Sequence, residues 1–419
     1  MKKFIKDLRQ KGTAHTQAIL QGNAPPLASK PGPNHTASDL ARWTFNYFYS
    51  SQNGQFQARA KSESTLGDND HFGYVVWPVI IMVQAAAEAL SSIDKAAVDK
   101  SLSALQAYWN PERSGFCAWK MFPGNEDIYY DDNGHAAQAL ISMFEATNDL
   151  KHLKQAKAIL TNLIMPAAEK DGGVPWHTNN QNCRNACSTG PAAVAALRIY
   201  NIQRDDGLLK FAERALQWLV TNLRDPEDGL IWDSYVMDEN GNRNINKMKW
   251  TYNTGFAIHG FALLYGITKN QEHLNNAIGF AKAAMNPNGP LFDRSIPKPQ
   301  DRMYSDSSFF LHHLVDGYHA LAQLNVPENL VQEIFRIANW GRTWMFDRDD
   351  GLYFRGSSPY TISQPLTDKF NQQFGMNKNL EVNSQERNEQ GNLCKTLIGN
   401  AGWIRILSMA EQLSSNHRS

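Results

Sequence analysis

Apolar residues recur at i, i+3, i+4 and i+7 through twelve stretches of the chain, the spacing of one buried helix face. The stretches run at about 36–50, 74–91, 95–109, 132–147, 150–164, 187–201, 206–222, 253–268, 271–285, 306–324, 328–346 and 395–412. Taken in successive pairs, the second member is richer in small and apolar residues, as from Pro191 to Leu197, and suits a helix enclosed on most sides. The first member carries more charge, as between Asp206 and Leu223, and suits an outer position.

A glycine-centred phrase, in most copies Gly followed by apolar or aromatic residues, punctuates the pairs at Gly54, Gly115, Gly172, Gly229, Gly289 and Gly351. The intervals are 61, 57, 57, 60 and 62 residues, and self-similarity at a fixed period marks a repeat architecture. Six helical hairpins predict an all-α (α/α)6 barrel, with twelve helices in an inner and an outer ring. The repeat also explains how one domain, 36–419, can exceed the usual size without a dividing linker. Residues 1–35 form an N-terminal arm whose spacer holds Pro25, Pro26, Pro31 and Pro33. The polar segment 356–390, rich in Asn and Gln, reads as a long loop crossing to the last helix and a candidate lid.

Charge narrows the ligand. With 41 basic and 41 acidic residues the net charge is zero, so no electrostatic footprint points to nucleic acid or an anionic membrane. A neutral ligand is expected, and eleven tryptophans, many in loops, fit the stacking of sugar C–H faces on rings. About half of those loop tryptophans are assigned to packing. The longest apolar run, Val75 to Val83, contains Pro78 and is too short to span a bilayer. Lys2, Lys3, Lys6, Asp7, Arg9 and Lys11 interrupt any apolar segment near the start, so no signal peptide and a cytoplasmic location are expected. Monomer is the default expectation.

Four cysteines in a chain of 419 residues do not make a disulfide framework, and Cys183 and Cys187 are expected as reduced thiols. No second Cys or His pair stands near them at zinc-ligand spacing. His312 and His313, adjacent on a helix, point about 100° apart and are not expected to face one metal. No metal or organic cofactor is called for. The sequon Asn34-His35-Thr36 would matter only in an exported protein.

Three Asp-Asp pairs compete for attention. Asp205-Asp206 opens an outer, charged helix and reads as a cap; Asp349-Asp350 precedes Gly351 and reads as a turn. Asp131-Asp132 could also be a cap, but it opens an inner helix on the loop side, behind Tyr129 and Tyr130. Retaining glycosidases need two carboxyl groups about 5–5.5 Å apart, and consecutive Cα atoms are about 3.8 Å apart, so adjacent aspartates at a helix entrance favour retention. The helix N-terminus would keep one carboxylate ionised as nucleophile. Its neighbour, beside that charge and among rings, would have a raised pKa suited to a proton donor.

From about 36 to 412 the sequence resembles glycoside hydrolase family 76, the α-1,6-mannanases, whose fold is an (α/α)6 barrel. The resemblance rests on Tyr130-Asp131-Asp132, on Arg184-Asn185 through Gly190 to Leu197, on Trp250 to Gly255, and on Gly172-Gly173 leading to Trp176. It implies Asp131 as nucleophile, Asp132 as acid/base, and a groove lined by Asn185, Tyr252 and Asn253. Tyr130, Trp176, Trp232 and Trp250 are the expected stacking platforms. Family members commonly carry tryptophan shortly after the Asp pair, where this chain reads Asn133-Gly134-His135-Ala136; His135 is therefore read either as a core or rim histidine or as part of an altered subsite. The substrate implied is a mannan-like oligo- or polysaccharide, cleaved with retention.

Two other readings compete. A sugar isomerase of the N-acylglucosamine 2-epimerase type uses the same barrel, and would make His135 and His259 central. A non-catalytic glycan-binding protein would bind mannan and tolerate Asp131→Asn without measurable loss.

Overall fold

A computed structural model describes residues 34–57, 75–326, 329–382 and 391–416, together with Gly32 and Arg387. Most of the predicted N-terminal arm falls outside them, but His35 does not. It is buried, stacks on Phe346 and hydrogen-bonds the Tyr353 hydroxyl at 2.8 Å.

Thirteen helices follow one another among the described residues. They are α1 (Ala37–Phe48), α2 (Val76–Leu90), α3 (Lys95–Gln106), α4 (Tyr130–Thr147), α5 (Leu150–Ala158), α6 (Ala186–Ile202) and α7 (Asp206–Asn222). After them come α8 (Thr251–Thr268), α9 (Gln271–Ala284), α10 (Ser308–Ala322), α11 (Leu330–Trp340), α12 (Gln364–Phe374) and α13 (Leu397–Asn416). Helices α2, α4, α6, α8, α10 and α13 each pack on the next, and α13 packs back on α2, which closes the inner ring. The remaining helices except α12 lie outside it, as the charge contrast within each pair predicts. The residues of α6 show the cause: every position from Ala186 to Leu197 is buried, whereas the outer α7 buries one stripe, Leu208, Phe211, Ala212, Ala215, Leu216, Trp218 and Leu219.

The glycine phrase has a structural counterpart. The backbone N–H of an apolar residue just after the glycine donates to a side chain at the fourth position of an inner helix. Phe116 donates to Asn133 at 2.7 Å, Val174 to Thr189 at 3.0 Å, Ile231 to Thr254 at 3.1 Å and Tyr353 to Asn400 at 2.8 Å. A buried backbone donor needs a partner, so each of these four copies pins one loop to one inner helix N-terminus. All the loops of this kind therefore gather at one mouth of the barrel.

The sequence reading differs from the structure in three places. The segment 356–390 is not a plain loop: α12 forms within it, with Pro365 in its first turn, and Phe370 and Phe374 pack on Trp340 and Trp344. Residues 383–386 and 388–390 lie outside the described ones. The stretches 150–164 and 328–346 do not stay α-helical; Ile159–Ile164 and Gly341–Met345 widen into π turns. The loops also hold sheet. Hairpins β1 (Tyr49–Ser50) with β2 (Gln55–Phe56), and β3 (Trp109–Asn110) with β4 (Gly115–Phe116), flank the early repeats. The strands β5 (Pro175–His177), β6 (Asn180–Asn185), β7 (Ser234–Met237) and β8 (Arg243–Asn246) form one antiparallel sheet beside the mouth, and β9 (Phe346–Asp347) pairs with β10 (Leu352–Tyr353).

Inner helices approach closely at glycines near this mouth. A Cβ on Gly255 of α8 would stand 2.5 Å from the His313 carbonyl oxygen and 2.7 Å from the Leu314 Cα of α10. Backbone cannot step aside as a side-chain tip can, and overpacking a core costs about 1–3 kcal/mol. Gly255→Ala is expected to lose at least that much, read as a lower denaturant midpoint with unchanged slope; an unchanged midpoint would mean that α8 and α10 can separate freely.

Candidate active site

Inner helices enter this mouth by their N-termini, whose free N–H groups and dipoles favour negative charge. Asp131 and Asp132 are the second and third residues of α4. Neither is its N-cap; that position is Tyr129, which makes no side-chain capping bond. The cap reading does apply to Asp205, which accepts from Gly207 N–H at 2.9 Å, and the turn reading to Asp350, which accepts from Leu352 N–H at 2.9 Å.

The surroundings of the two aspartates are unequal. Asp131 Oδ1 accepts the Asp132 N–H at 2.9 Å, while Oδ2 accepts the Trp176 indole N–H at 3.0 Å and faces the Cys187 thiol at 3.7 Å. Among the described residues no donor reaches the Asp132 carboxylate. Burial pushes Asp131 up to about 6, against the downward pull of Trp176, of the backbone N–H groups and of Cys187. Burial also pushes Asp132, with the charges of Asp131 and then Asp127 adding to it, and holds it well above the ordinary carboxylate range. The pair titrates as a unit, with the proton favoured on Asp132.

Two of the sequence-predicted residues meet Asp131 or its neighbours directly. Trp176, on β5, is 41% exposed and holds Asp131 by its N–H, with its ring edge-on to Tyr129 at 5.1 Å. Tyr252, at the start of α8, stacks on Phe310 at 4.3 Å and hydrogen-bonds Cys187, whose thiol burial keeps protonated. Asn253 is buried and reaches Asp233 at 3.5 Å. Trp250 precedes them, its ring 5.2 Å from Phe310. Asn185 is the N-cap position of α6, and its side-chain oxygen accepts the Cys183 thiol at 2.9 Å instead of capping.

Three others lie elsewhere. Tyr130 turns outward into the packing between α4 and the outer layer, only 5% exposed. Trp232 donates to Asp225 at 3.0 Å and lies under Lys247, beside the Lys249 ion pairs with Asp225 and Asp228. His135 is buried in the barrel interior among Trp77, Phe256 and His313, at ring distances of 6.3, 5.5 and 4.7 Å. No ring contact joins it to His259 among the described residues, as the isomerase reading would favour. Both cysteines of interest are free thiols.

The expectation that His312 and His313 diverge needs correction. Their rings are 3.7 Å apart, and with Asp316 they offer atoms within 4.8 Å of one another. The position facing them is taken by the Arg405 guanidinium, 2.7 Å from His312 Nδ1 and 2.7 Å from Asp316 Oδ2. Two of the three donors are thus taken by a fixed organic cation, and His313 Nδ1 stands 3.8 Å from Asp316.

Sequence reasoning missed Trp77, Phe310, Cys187 and Asp233. Trp77, Phe310 and Cys187 lie in the first turns of inner helices, the register that singled out Asp131, and that register was the available signal. Asp233 is a third buried carboxyl, raised by burial against bonds from Asn253, Ser234 and Asn246.

The sequence profile of Glycosyl hydrolase family 76 matches residues 34–336. The chain is also 31% identical over 385 residues, 84% of its length and 86% of the relative's, to Meiotically up-regulated gene 191 protein of Schizosaccharomyces pombe. The chain belongs to glycosyl hydrolase family 76. Over a shorter span, 120 residues, this family 76 glycosidase is 28% identical to Mannan endo-1,6-alpha-mannosidase DCW1 of Candida albicans, covering 27% of this chain and 26% of that one. Its fold matches the α-1,6-mannanase GH76A of Salegentibacter sp. HEL1_6, solved as an inactive variant with two consecutive aspartates changed to asparagine, in complex with α-1,6-mannotriose. That likeness has a TM-score of 0.66 at 21% identity over 90% of this chain and 98% of the other. A GH76 α-mannanase of Bacteroides thetaiotaomicron matches at a TM-score of 0.70 and 17% identity, over 92% and 98% of the two chains. The fold shared by the family 76 structures is the (α/α)6 barrel.

Trp176 offers a direct probe of this site. Its N–H stabilises ionised Asp131, so Trp176→Phe raises the Asp131 pKa and moves the acid limb of the kcat/KM profile to higher pH. A hydrogen bond to a charged group contributes about 1.5–3 kcal/mol when fully buried, and one pH unit is about 1.4 kcal/mol. With a partly exposed indole, a shift of roughly half a unit to one unit is expected. A limb that stays near pH 6 would show that Trp176 does not set the charge on Asp131.

Proposed function

We propose that this glycosidase cleaves α-1,6-mannosidic linkages in mannan or manno-oligosaccharides with retention, through a covalent mannosyl-enzyme intermediate. The observation that carries the reading is the asymmetry of the Asp pair: three donors converge on Asp131, none on Asp132, and the proton belongs on Asp132. Asp131 attacks the anomeric carbon while Asp132 gives its proton to the departing glycosidic oxygen; Asp132 then takes a proton from water, which attacks the same carbon and frees Asp131. Bond making and breaking at that carbon occur twice on opposite faces, so configuration is kept. The Salegentibacter relative, inactive once two consecutive aspartates are amidated and able to hold an α-1,6-linked trisaccharide, supports both machinery and substrate.

The sugar would lie across the mouth between Trp176 and the aromatic arc of Trp250, Tyr252, Phe310 and Trp77. Asn253 and Asn185 stand behind it as sources of amide hydrogen bonds. Tyr130, His135 and Trp232, turned away from the pair, would act through packing.

Proton NMR of the anomeric signals during digestion of an α-1,6-linked mannotetraose tests this. Early appearance of α-anomer, equilibrating later with β, is the expected result. First release of β-anomer would overturn retention, and no release from this oligosaccharide would overturn the linkage.

A further inference from the structure

Three inner helices each place one side chain in a single layer just inside the catalytic mouth. Asp131, Cys187 and Tyr252 are the second residues of α4, α6 and α8 respectively. Helix α6 packs against both α4 and α8, so equal register sets the three side chains in a row with the thiol in the middle.

The row has a direction. The Tyr252 hydroxyl donates to Cys187 Sγ, and the Cys187 thiol donates to Asp131 Oδ2 at 3.7 Å. A thiol offers one weak donor and a weak acceptor, so it can serve both neighbours only while it keeps its proton. Burial first, and then the charge of Asp131, keep that proton on Cys187. The two outer links are held in place. Tyr252 is buried with its ring stacked on Phe310 at 4.3 Å, and Cys187 is enclosed with Val194, Tyr252 and Phe256. Asp131 Oδ1 is tied to the Asp132 N–H at 2.9 Å, and the partly exposed Trp176 reaches Oδ2 from a loop strand at 3.0 Å. The thiol holds the same oxygen from the barrel wall, on a helix instead of a loop. Donors that face a carboxylate favour its charged form, and hydrogen bonds aligned head to tail polarise one another.

We propose that Cys187 and Tyr252 are positioning residues for the nucleophile, acting in series: the Tyr252 hydroxyl orients the Cys187 thiol, and the thiol holds Asp131 Oδ2 ionised and fixed in rotamer. The proposal rests on the reading of Asp131 as the attacking group, and assigns to Tyr252 an action on the chemistry that passes through sulfur. A weak donor suits this place, because a nucleophile must give up part of its hydrogen bonding when it forms the glycosyl ester.

The test reads Asp131 directly, by carbon NMR of the full chain labelled at aspartate carboxyl carbons, with the Asp131 signal assigned by its loss in Asp131→Asn. Cys187→Val removes the donor and keeps water out of its place; it should raise the Asp131 midpoint by roughly a third to two thirds of a pH unit. Tyr252→Phe should raise it by about a tenth of a unit or more, the share that polarisation along a hydrogen-bond chain adds. In the Cys187→Val background the same Tyr252→Phe change should add nothing, since the two act in series. Other aspartate signals left in place report an intact fold. The acid limb of kcat/KM on α-1,6-linked manno-oligosaccharides should move with the midpoint, and kcat of Cys187→Val should fall severalfold with KM little changed. A midpoint unmoved in Cys187→Val would overturn the proposal, as would a Tyr252→Phe shift of equal size with and without the thiol. Midpoints that move as expected in a chain that hydrolyses no mannoside would support the series and count against the hydrolytic reading.

Discussion

Asp131→Asn is expected to lower kcat on α-1,6-linked manno-oligosaccharides by about 10⁴-fold or more, the scale on which removal of an enzymic nucleophile is felt, while KM changes little. The amide keeps the shape of the carboxylate but cannot form the glycosyl ester. The fold should not suffer. A carboxyl whose pKa is raised in the folded state opposes folding as pH rises through its unfolded value toward about 6. Taking the charge away removes that opposition at neutral pH, so the melting temperature should stay level or rise. Loss of activity with a lower melting temperature would point instead to a structural role for Asp131, and activity within tenfold of the parent would remove it from the chemistry. A non-catalytic glycan-binding protein would show neither loss, and this substitution therefore also decides against that reading.

The largest effect on stability is expected at the other end of the barrel. Arg405 is 2% exposed and is the only cation in contact with both Glu88 and Asp316 among the described residues. Burial would raise the Asp316 pKa, yet Arg405, and after it the His313 bond, hold it well below the ordinary range. Removing one partner of a buried pair leaves an uncompensated charge, at a cost of about 3–5 kcal/mol. Arg405→Leu should lose stability on that scale in urea at neutral pH. Neutralising the stranded acids in the same chain, by Glu88→Gln with Asp316→Asn, should recover part of it. A single variant that loses less than about 1 kcal/mol would show that water already screens these carboxylates.

Much of the barrel was readable because two periods are written over each other in the sequence. The helix period separates enclosed helices such as α6 from striped ones such as α7, and the glycine period counts the hairpins. Both report burial, which is a property of each residue's own side chain. The four-stranded sheet was not readable, since β6 and β7 come from different repeats and each is only a few residues of mixed polarity until they meet. Convergence of His312 and His313 was invisible for a related reason. The helix angle between neighbours is fixed, but Arg405 from the last inner helix holds the His312 ring at 2.7 Å while His313 lies beside Asp316 on the same helix. At the candidate site, Asp131 and Asp132 announced themselves by adjacency and by position at an inner helix entrance. Cys187 and Asp233 reach the same mouth from other repeats with no such mark, and the side-chain directions of Tyr130 and Trp232 follow from packing partners that no local pattern names.

The closed inner ring sets an order on the making of the protein. Its last member, α13, lies between α10 and α2 and carries the guanidinium that neutralises Glu88. Domains begin to fold from the N-terminal side during synthesis, at about 5–20 residues per second. Five inner helices can thus assemble as an open crescent, with the apolar flanks of α2 and α10 and the Glu88 carboxylate still facing water. Residues 397–416 then act as the keystone. Until they join it the crescent keeps two sticky apolar edges, so a chain interrupted before its sixth inner helix is exposed to misassociation.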